Sequence, residues 1–205
     1  MPSNIDIAMP TMARKELTKI VKSHYRKHKV FSSEQDPTET LGQNFNKCFE
    51  LAREDDNKSF GVMVVGSDDL INPDYFEFLE DTRPYYCDLG ACYWYNLQTG
   101  EMILTEGISL GAGKYFSKQF LTRCDWKPYE DELNKNIDRG PSRFFDKTER
   151  LTQTKPWCID MKGPGSLWKW SWVQNIPLCQ DIEKPSRVFD KFGSDIAKFK
   201  RFLDD

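Results

Sequence analysis

The chain has 205 residues, with 29 Lys+Arg against 32 Asp+Glu and a formal net charge of -3. That length suits one domain with a sizeable core. Aromatic residues make up 14%, too many for a disordered chain. No run approaches the roughly 18 apolar residues of a membrane span, and a net acidic chain is not a nucleic-acid coat protein.

Residues 1–10 read as polar, with Asp6 and no apolar stretch of the kind a secretory signal carries. The six cysteines are Cys48, Cys87, Cys92, Cys124, Cys158 and Cys179. Without a signal they favour reduced thiols in an intracellular, cytoplasmic-like compartment over a disulfide framework. Residues 1–30 hold seven basic and two acidic residues, a net of +5, which leaves -8 for the remainder. The pattern reads as a basic N-terminal helical arm, residues 1–36, on a single α+β domain, residues 37–205. A helix is predicted over 12–29, with Leu17, Ile20, Val21, His24 and His28 on a narrow stripe.

Residues 32–37 read as a loop. A second helix is predicted over 38–53, with Leu41, Phe45, Cys48, Phe49 and Ala52 on one face. Residues 60–65 form a short apolar run, the mark of a buried central strand. Pro73 starts a predicted helix through residue 80. Residues 91–96 and 101–105 flank a turn with Gly100, the signature of a hairpin. Helices are predicted over 115–123 and 128–137, then a long loop over 138–154. Strands are predicted over 157–161 and 167–173. A final amphipathic helix over 186–203 carries Val188, Phe189, Phe192, Ile196, Phe199 and Leu203.

Histidine is scarce: His24 and His28 are the two in the chain. Their i, i+4 spacing suits a shared metal, but the surrounding lysines and arginines oppose a cation there. A papain-like role for Cys92 needs a downstream histidine, and the sequence has none after His28. The Gly107–Lys114 run resembles a phosphate loop in composition only. Its spacing lacks the required glycine, and Tyr115 replaces the metal-binding hydroxyl. It reads as a strand-to-helix turn.

Two acids, Asp68 and Asp69, follow the apolar strand, where α/β folds place ligands. Asp160 and Lys162 end another strand. Carboxylates followed by Asp-x-Lys are the skeleton of many metal-dependent nucleases. Three such acid-x-Lys matches occur in the chain, at Asp56, Asp125 and Asp160, which is the number composition alone predicts. Trp168, Trp170 and Trp172 alternate with Lys169 and Ser171, so on a strand all three indoles face one side. Buried, they form half a core layer; exposed, an aromatic platform.

The expected fold is therefore α+β: a small mixed or antiparallel sheet flanked by amphipathic helices, with the N-terminal basic helix on or beyond it. Phe45, Phe49, Val62, Val64, Tyr93, Tyr95, Ile103, Phe189, Phe192 and Phe199 are the expected core. The missing catalytic motifs favour a non-enzymatic structural or adaptor component of a larger assembly, with protein partners. Its contacts would come from Lys19, Lys22, Arg26, Lys27, Trp168, Trp170 and Trp172, and no cofactor or metal is assigned. The alternatives are a nucleic-acid-binding accessory protein using the basic helix and a metal-dependent nuclease or phosphotransfer-type enzyme with a carboxylate site. Asp68, Asp69 and Asp160 would form that site.

Overall fold

The computed structural model describes residues 4–11, 14–55, 59–107, 110–134, 137–163, 166, 169–176 and 184–200. The chain is α+β, with two mixed sheets among the described residues. It opens with β1 (Ile5–Thr11), all seven residues of which are buried. The stretch expected to be polar is thus a strand. Ile5, Ile7 and Met9 face one core and Ala8 the other, as a central parallel strand requires. α1 (Lys15–His24) is shorter than the helix expected over 12–29. β2 (Val30–Glu34) takes residues expected to be a loop, because β1 offers it a parallel edge. The basic segment is therefore built into the sheet.

α2 (Leu41–Glu54) starts at a capping box between Thr40 and Gln43. β3 (Gly61–Val64) is fully buried, as its apolar run predicts. β4 (Asp69–Ile71) is short and new to the reading. α3 (Pro73–Thr82) begins with Asn72 accepting from the Asp74 N–H and Pro73 in the first turn. β5 (Tyr86–Leu89) precedes the expected hairpin of β6 (Ala91–Asn96) and β7 (Met102–Glu106). Gly100 takes the positive φ of 72° that this turn needs.

The helix expected over 115–123 splits into β8 (Tyr115–Ser117) and α4 (Lys118–Arg123). Ser117 makes the change, since its side chain accepts from the Phe120 N–H. No helix forms over 128–134. Asn46 on α2 bonds the Tyr129 backbone twice, at 2.9 and 3.2 Å, and so replaces the helical bonds. The expected long loop holds two 3₁₀ turns and β9 (Arg150–Gln153). β10 (Cys158–Lys162) matches the predicted strand. α5 (Trp170–Val173) replaces the strand expected over 167–173. The last helix is broken into α6 (Pro185–Lys191) and α7 (Ala197–Lys200). Gly193 turns the chain between them at φ 64°, and the Ser194 N–H bonds back to the Phe189 carbonyl. Leu203 lies outside the described residues.

The larger sheet runs β2-β1-β3-β8-β5-β9, with β8 antiparallel to its neighbours. The smaller runs β4-β10-β6-β7. Two apolar cores cover the faces of the larger sheet. One joins α1, β1 and the small sheet; the other joins α2, β3, β8 and α4. Of the expected core, Phe49, Val62, Val64, Tyr95, Phe189, Phe192 and Phe199 are buried. Phe45, Tyr93 and Ile103 are partly buried against it. The five described cysteines are buried free thiols; Cys179 lies outside the described residues. Among the described residues no helix is long and apolar enough to cross a membrane.

Tyr25 joins the two sheets. It is 1% exposed. Its hydroxyl donates to the Asp69 carbonyl and accepts from the Ile71 N–H, each at 2.9 Å, so it caps the free edge of β4. Tyr25→Phe leaves both backbone groups unpaired in the interior, a cost of about 1–3 kcal/mol. Urea denaturation should show that loss, and an unchanged midpoint would mean that water or neighbours replace the hydroxyl.

Candidate active site

The first three strands carry a specific topology. β1 pairs in parallel with both β2 and β3. The chain leaves β1 through α1 to reach β2 on one side. It then crosses through α2 to reach β3 on the other, with α1 and α2 packed on opposite faces. The direction of winding therefore reverses at β1. In open α/β sheets such a switch point leaves a crevice beyond the carboxyl ends of the strands, and ligands bind there. Here those ends are Thr11 with Arg14, Glu34, and the Gly66–Asp69 turn.

That turn is shaped to aim carboxylates. The Gly66 N–H donates to Asp69 Oδ2 at 2.6 Å. A Cβ on residue 66 would overlap the Asp69 carboxylate and press on Asp68 Oδ1 at 3.0 Å, so glycine is required by close approach. The Met161 N–H donates to the Asp68 carbonyl at 2.9 Å, which ties the turn to β10. In the antiparallel β4–β10 pair, Asp69 lies directly opposite Asp160. Like charges at opposed positions destabilise a sheet. The sheet nevertheless brings carboxylate oxygens of Asp68, Asp69 and Asp160 within 4.8 Å of one another.

Two cations share the cluster. Arg14 Nη2 lies 2.8 Å from Asp68 Oδ2, and its Nη1 donates to Ser166 Oγ at 3.1 Å. Lys162 Nζ lies 2.6 Å from Asp160 Oδ1 and 5.0 Å from the centre of the Trp94 ring. The Lys162 ammonium is thus the close partner of Asp160 Oδ1. Burial pushes the Asp160 carboxyl up to about 6; Lys162 opposes the shift and Asp68 adds to it. Burial, then the charges of Asp160 and Asp68, hold Asp69 well above the ordinary carboxylate range. For Lys162, burial disfavours the charge, but Asp160 and Asp68 overcome it and raise its pKa.

The donor set is three hard carboxylate oxygens, the ligand type of Mg²⁺, Mn²⁺ and Ca²⁺. Three carboxylates brought within 4.8 Å of one another fit such a cation. A cleft of about 320 Å³ opens between α1 and the ends of β1 and β2. It is lined by Thr11, Lys15, Thr18, Lys19, Lys22 and Glu34.

The structure thus unites Asp68, Asp69 and Asp160, all three marked in the sequence. Sequence reasoning missed Arg14 and Glu34, which become legible only once β1 and β2 are known as parallel neighbours. Lys19 and Lys22 line the cleft, and Lys22 also donates to Ser32 Oγ at 2.7 Å. Arg26 and Lys27 are exposed beyond the end of α1. Trp168 lies outside the described residues. Trp170 packs against the first core, while Trp172 is 55% exposed. The expected one-sided indole strand is absent there because residues 170–173 are helical. The histidines hold the core: His24 Nε2 contacts the Ile71 carbonyl at 3.0 Å and His28 Nδ1 the Ile5 carbonyl at 3.1 Å. Lys114 is wholly buried, and the glycine-rich run leads from β7 to β8, strand to strand rather than strand to helix as expected.

No family model matches the chain, and no curated protein matches it. The crystal structure of a glycosyltransferase involved in the glycosylation of the major capsid of PBCV-1 is similar to it. The identity is 14% and the TM-score 0.48, over 78% of this chain and 94% of that one. The expectation of a non-enzymatic adaptor is corrected at this point. The chain's own facing acids, Asp68, Asp69 and Asp160, point to a ligand site instead. The adaptor and nucleic-acid readings also rested on a free basic arm, whereas Leu17 and Val21 of α1 share a core with β1.

The raised Asp160 pKa fixes a pH dependence. Between the ordinary value of 3.8 and about 6, the native state holds a proton that the unfolded chain has released. This group's contribution to stability therefore falls as pH rises through that window. In cation-free buffer, wild-type stability should fall from pH 4 to pH 6.5 relative to Asp160→Asn. Parallel stability curves for the two proteins would contradict the assignment.

Proposed function

We propose that this protein is a divalent-cation-dependent transferase whose donor carries a nucleoside diphosphate. The convergence of Asp68, Asp69 and Asp160 at the switch point of the parallel sheet carries the reading. A cation there supplies charge neutralisation to a departing diphosphate. The chain's own residues do the rest. Asp68, Asp69 and Asp160 hold the cation. Lys162, fixed by Asp160 and Trp94, keeps a permanent positive charge beside the leaving group. The cleft of about 320 Å³ at the ends of β1 and β2 is at the small end of ligand-pocket sizes and suits the nucleoside. Glu34, at the end of β2, is the acid that meets ribose hydroxyls in sheets wound this way.

Transfer of a glycosyl group is the form of this chemistry to assay first. The anomeric carbon bonds to an acceptor hydroxyl oxygen, its bond to the phosphate oxygen breaks, the nucleoside diphosphate leaves with that electron pair, and the acceptor's proton passes to the departing diphosphate or to solvent. Thermal unfolding with Mn²⁺ and each common nucleoside diphosphate should show stabilisation that needs both components. Turnover of the matching nucleotide sugar should fall about 100-fold or more in Asp68→Asn and Asp160→Asn. Absence of stabilisation by every cation and nucleotide pair would overturn the reading.

A further inference from the structure

We infer that Arg14 is a resident counter-ion of the cation site: it yields Asp68 to the entering cation and turns to the donor's phosphates, so that cation and donor bind as a coupled pair. The inference rests on the cation-site reading above and assigns the coupling of cation and donor to a particular residue.

Four observations lead to it. First, Arg14 occupies a ligand of the site. Its guanidinium pairs with Asp68, and the two side chains are 15% and 14% exposed, so the attraction is little screened by water. Second, the pairing is incomplete. One nitrogen meets Asp68 and another meets Ser166 Oγ, while Nε is buried with no hydrogen-bond partner. A guanidinium matched to a carboxylate or phosphate makes two parallel N–H bonds; this one makes a single bond to the acid and leaves a donor unused. Third, the side chain takes no part in capping its helix. Arg14 is the N-cap of α1, yet its side chain makes no capping bond. The helix starts instead through the Arg14 carbonyl, which accepts from the Thr18 N–H at 2.9 Å. The guanidinium can therefore move without unwinding α1.

The fourth is charge. Three carboxyl groups, Asp68, Asp69 and Asp160, face two cations, Arg14 and Lys162. Lys162 is 6% exposed and fixed to Asp160. A divalent cation among these oxygens, which lie within 4.8 Å of one another, makes the site strongly positive. The cation and the guanidinium then compete for the same Asp68 carboxylate and repel each other at short range. A cation that enters alone must displace Arg14 from its only carboxylate among the described contacts. A diphosphate changes this balance, because it offers the freed guanidinium two oxygens in matching geometry and restores negative charge. The cation then loses little by displacing Arg14. Linkage makes the effect reciprocal, so the diphosphate gains from the cation by the same factor.

Calorimetric titration of the full chain tests this with Mn²⁺ alone, UDP alone, and Mn²⁺ in the presence of UDP, corrected for their association in solution. Wild type should bind Mn²⁺ weakly alone and about 10- to 100-fold more tightly with UDP. Arg14→Gln removes the competing charge. It should bind Mn²⁺ alone about tenfold more tightly than wild type, with the UDP enhancement reduced to about threefold or less. Arg14→Lys keeps a mobile positive charge and should resemble wild type toward Mn²⁺ alone. Thermal unfolding of both variants checks that they are folded. Arg14→Gln binding Mn²⁺ no more tightly, or keeping the full UDP enhancement, overturns the exchange while the cation site stands. Failure of wild type to bind Mn²⁺ with or without UDP overturns the site itself.

Discussion

The structure depends on one costly pairing: Asp69 opposite Asp160 on adjacent antiparallel strands, in an interior that raises the pKa of both. Sheet energetics oppose it, and so does burial of uncompensated charge. Several other features read as responses to that constraint. Lys162 two residues along β10 and Arg14 at the end of β1 supply positive charge. Gly66 makes room for the carboxylates. Tyr25 closes the free edge of β4 from behind, so that so short a strand stays in register.

The location of this pairing gives it meaning. The two sheets meet beyond the carboxyl ends of β1 and β3, where the larger sheet reverses its winding. The start of α1 contributes Arg14 and the turn after β3 contributes Asp68; the smaller sheet contributes Asp69, Asp160 and Lys162. Neither sheet alone holds a complete set of groups. Buried acids that lower stability, placed where a parallel sheet opens a crevice, fit a site that completes its charge balance by binding a ligand.

Much of the fold was legible because its signals are local. The α2 apolar stripe, the apolar β3 run, the Pro73 helix start and the Gly100 hairpin each follow from a few neighbouring residues. The site acids were also visible, since Asp68 and Asp69 follow a buried strand and Asp160 ends another. The misses share a cause. β1 carries Asp6 and Pro10, and its seven residues become a strand only because β2 and β3 flank it. Residues 128–134 stay non-helical because a side chain from α2 takes over their backbone bonds. The tryptophan segment alternates as a strand does, yet no strand partner receives it and residues 170–173 coil into a helical turn. Charge misled in a similar way: a +5 segment looked separable because sequence alone does not reveal that its apolar minority fills the first core. Composition also placed Asp160-x-Lys162 at chance level, and its significance comes from the register that sets Asp160 beside Asp69.

The central claim is that these three carboxylates hold a divalent cation. A crystal grown with Mn²⁺ and UDP, measured at the manganese absorption edge, tests it directly. The account predicts an anomalous peak bounded by Asp68, Asp69 and Asp160, with Arg14 turned from Asp68 toward the diphosphate. A well-ordered site with no peak there, or manganese bound elsewhere with Arg14 still on Asp68, would contradict it.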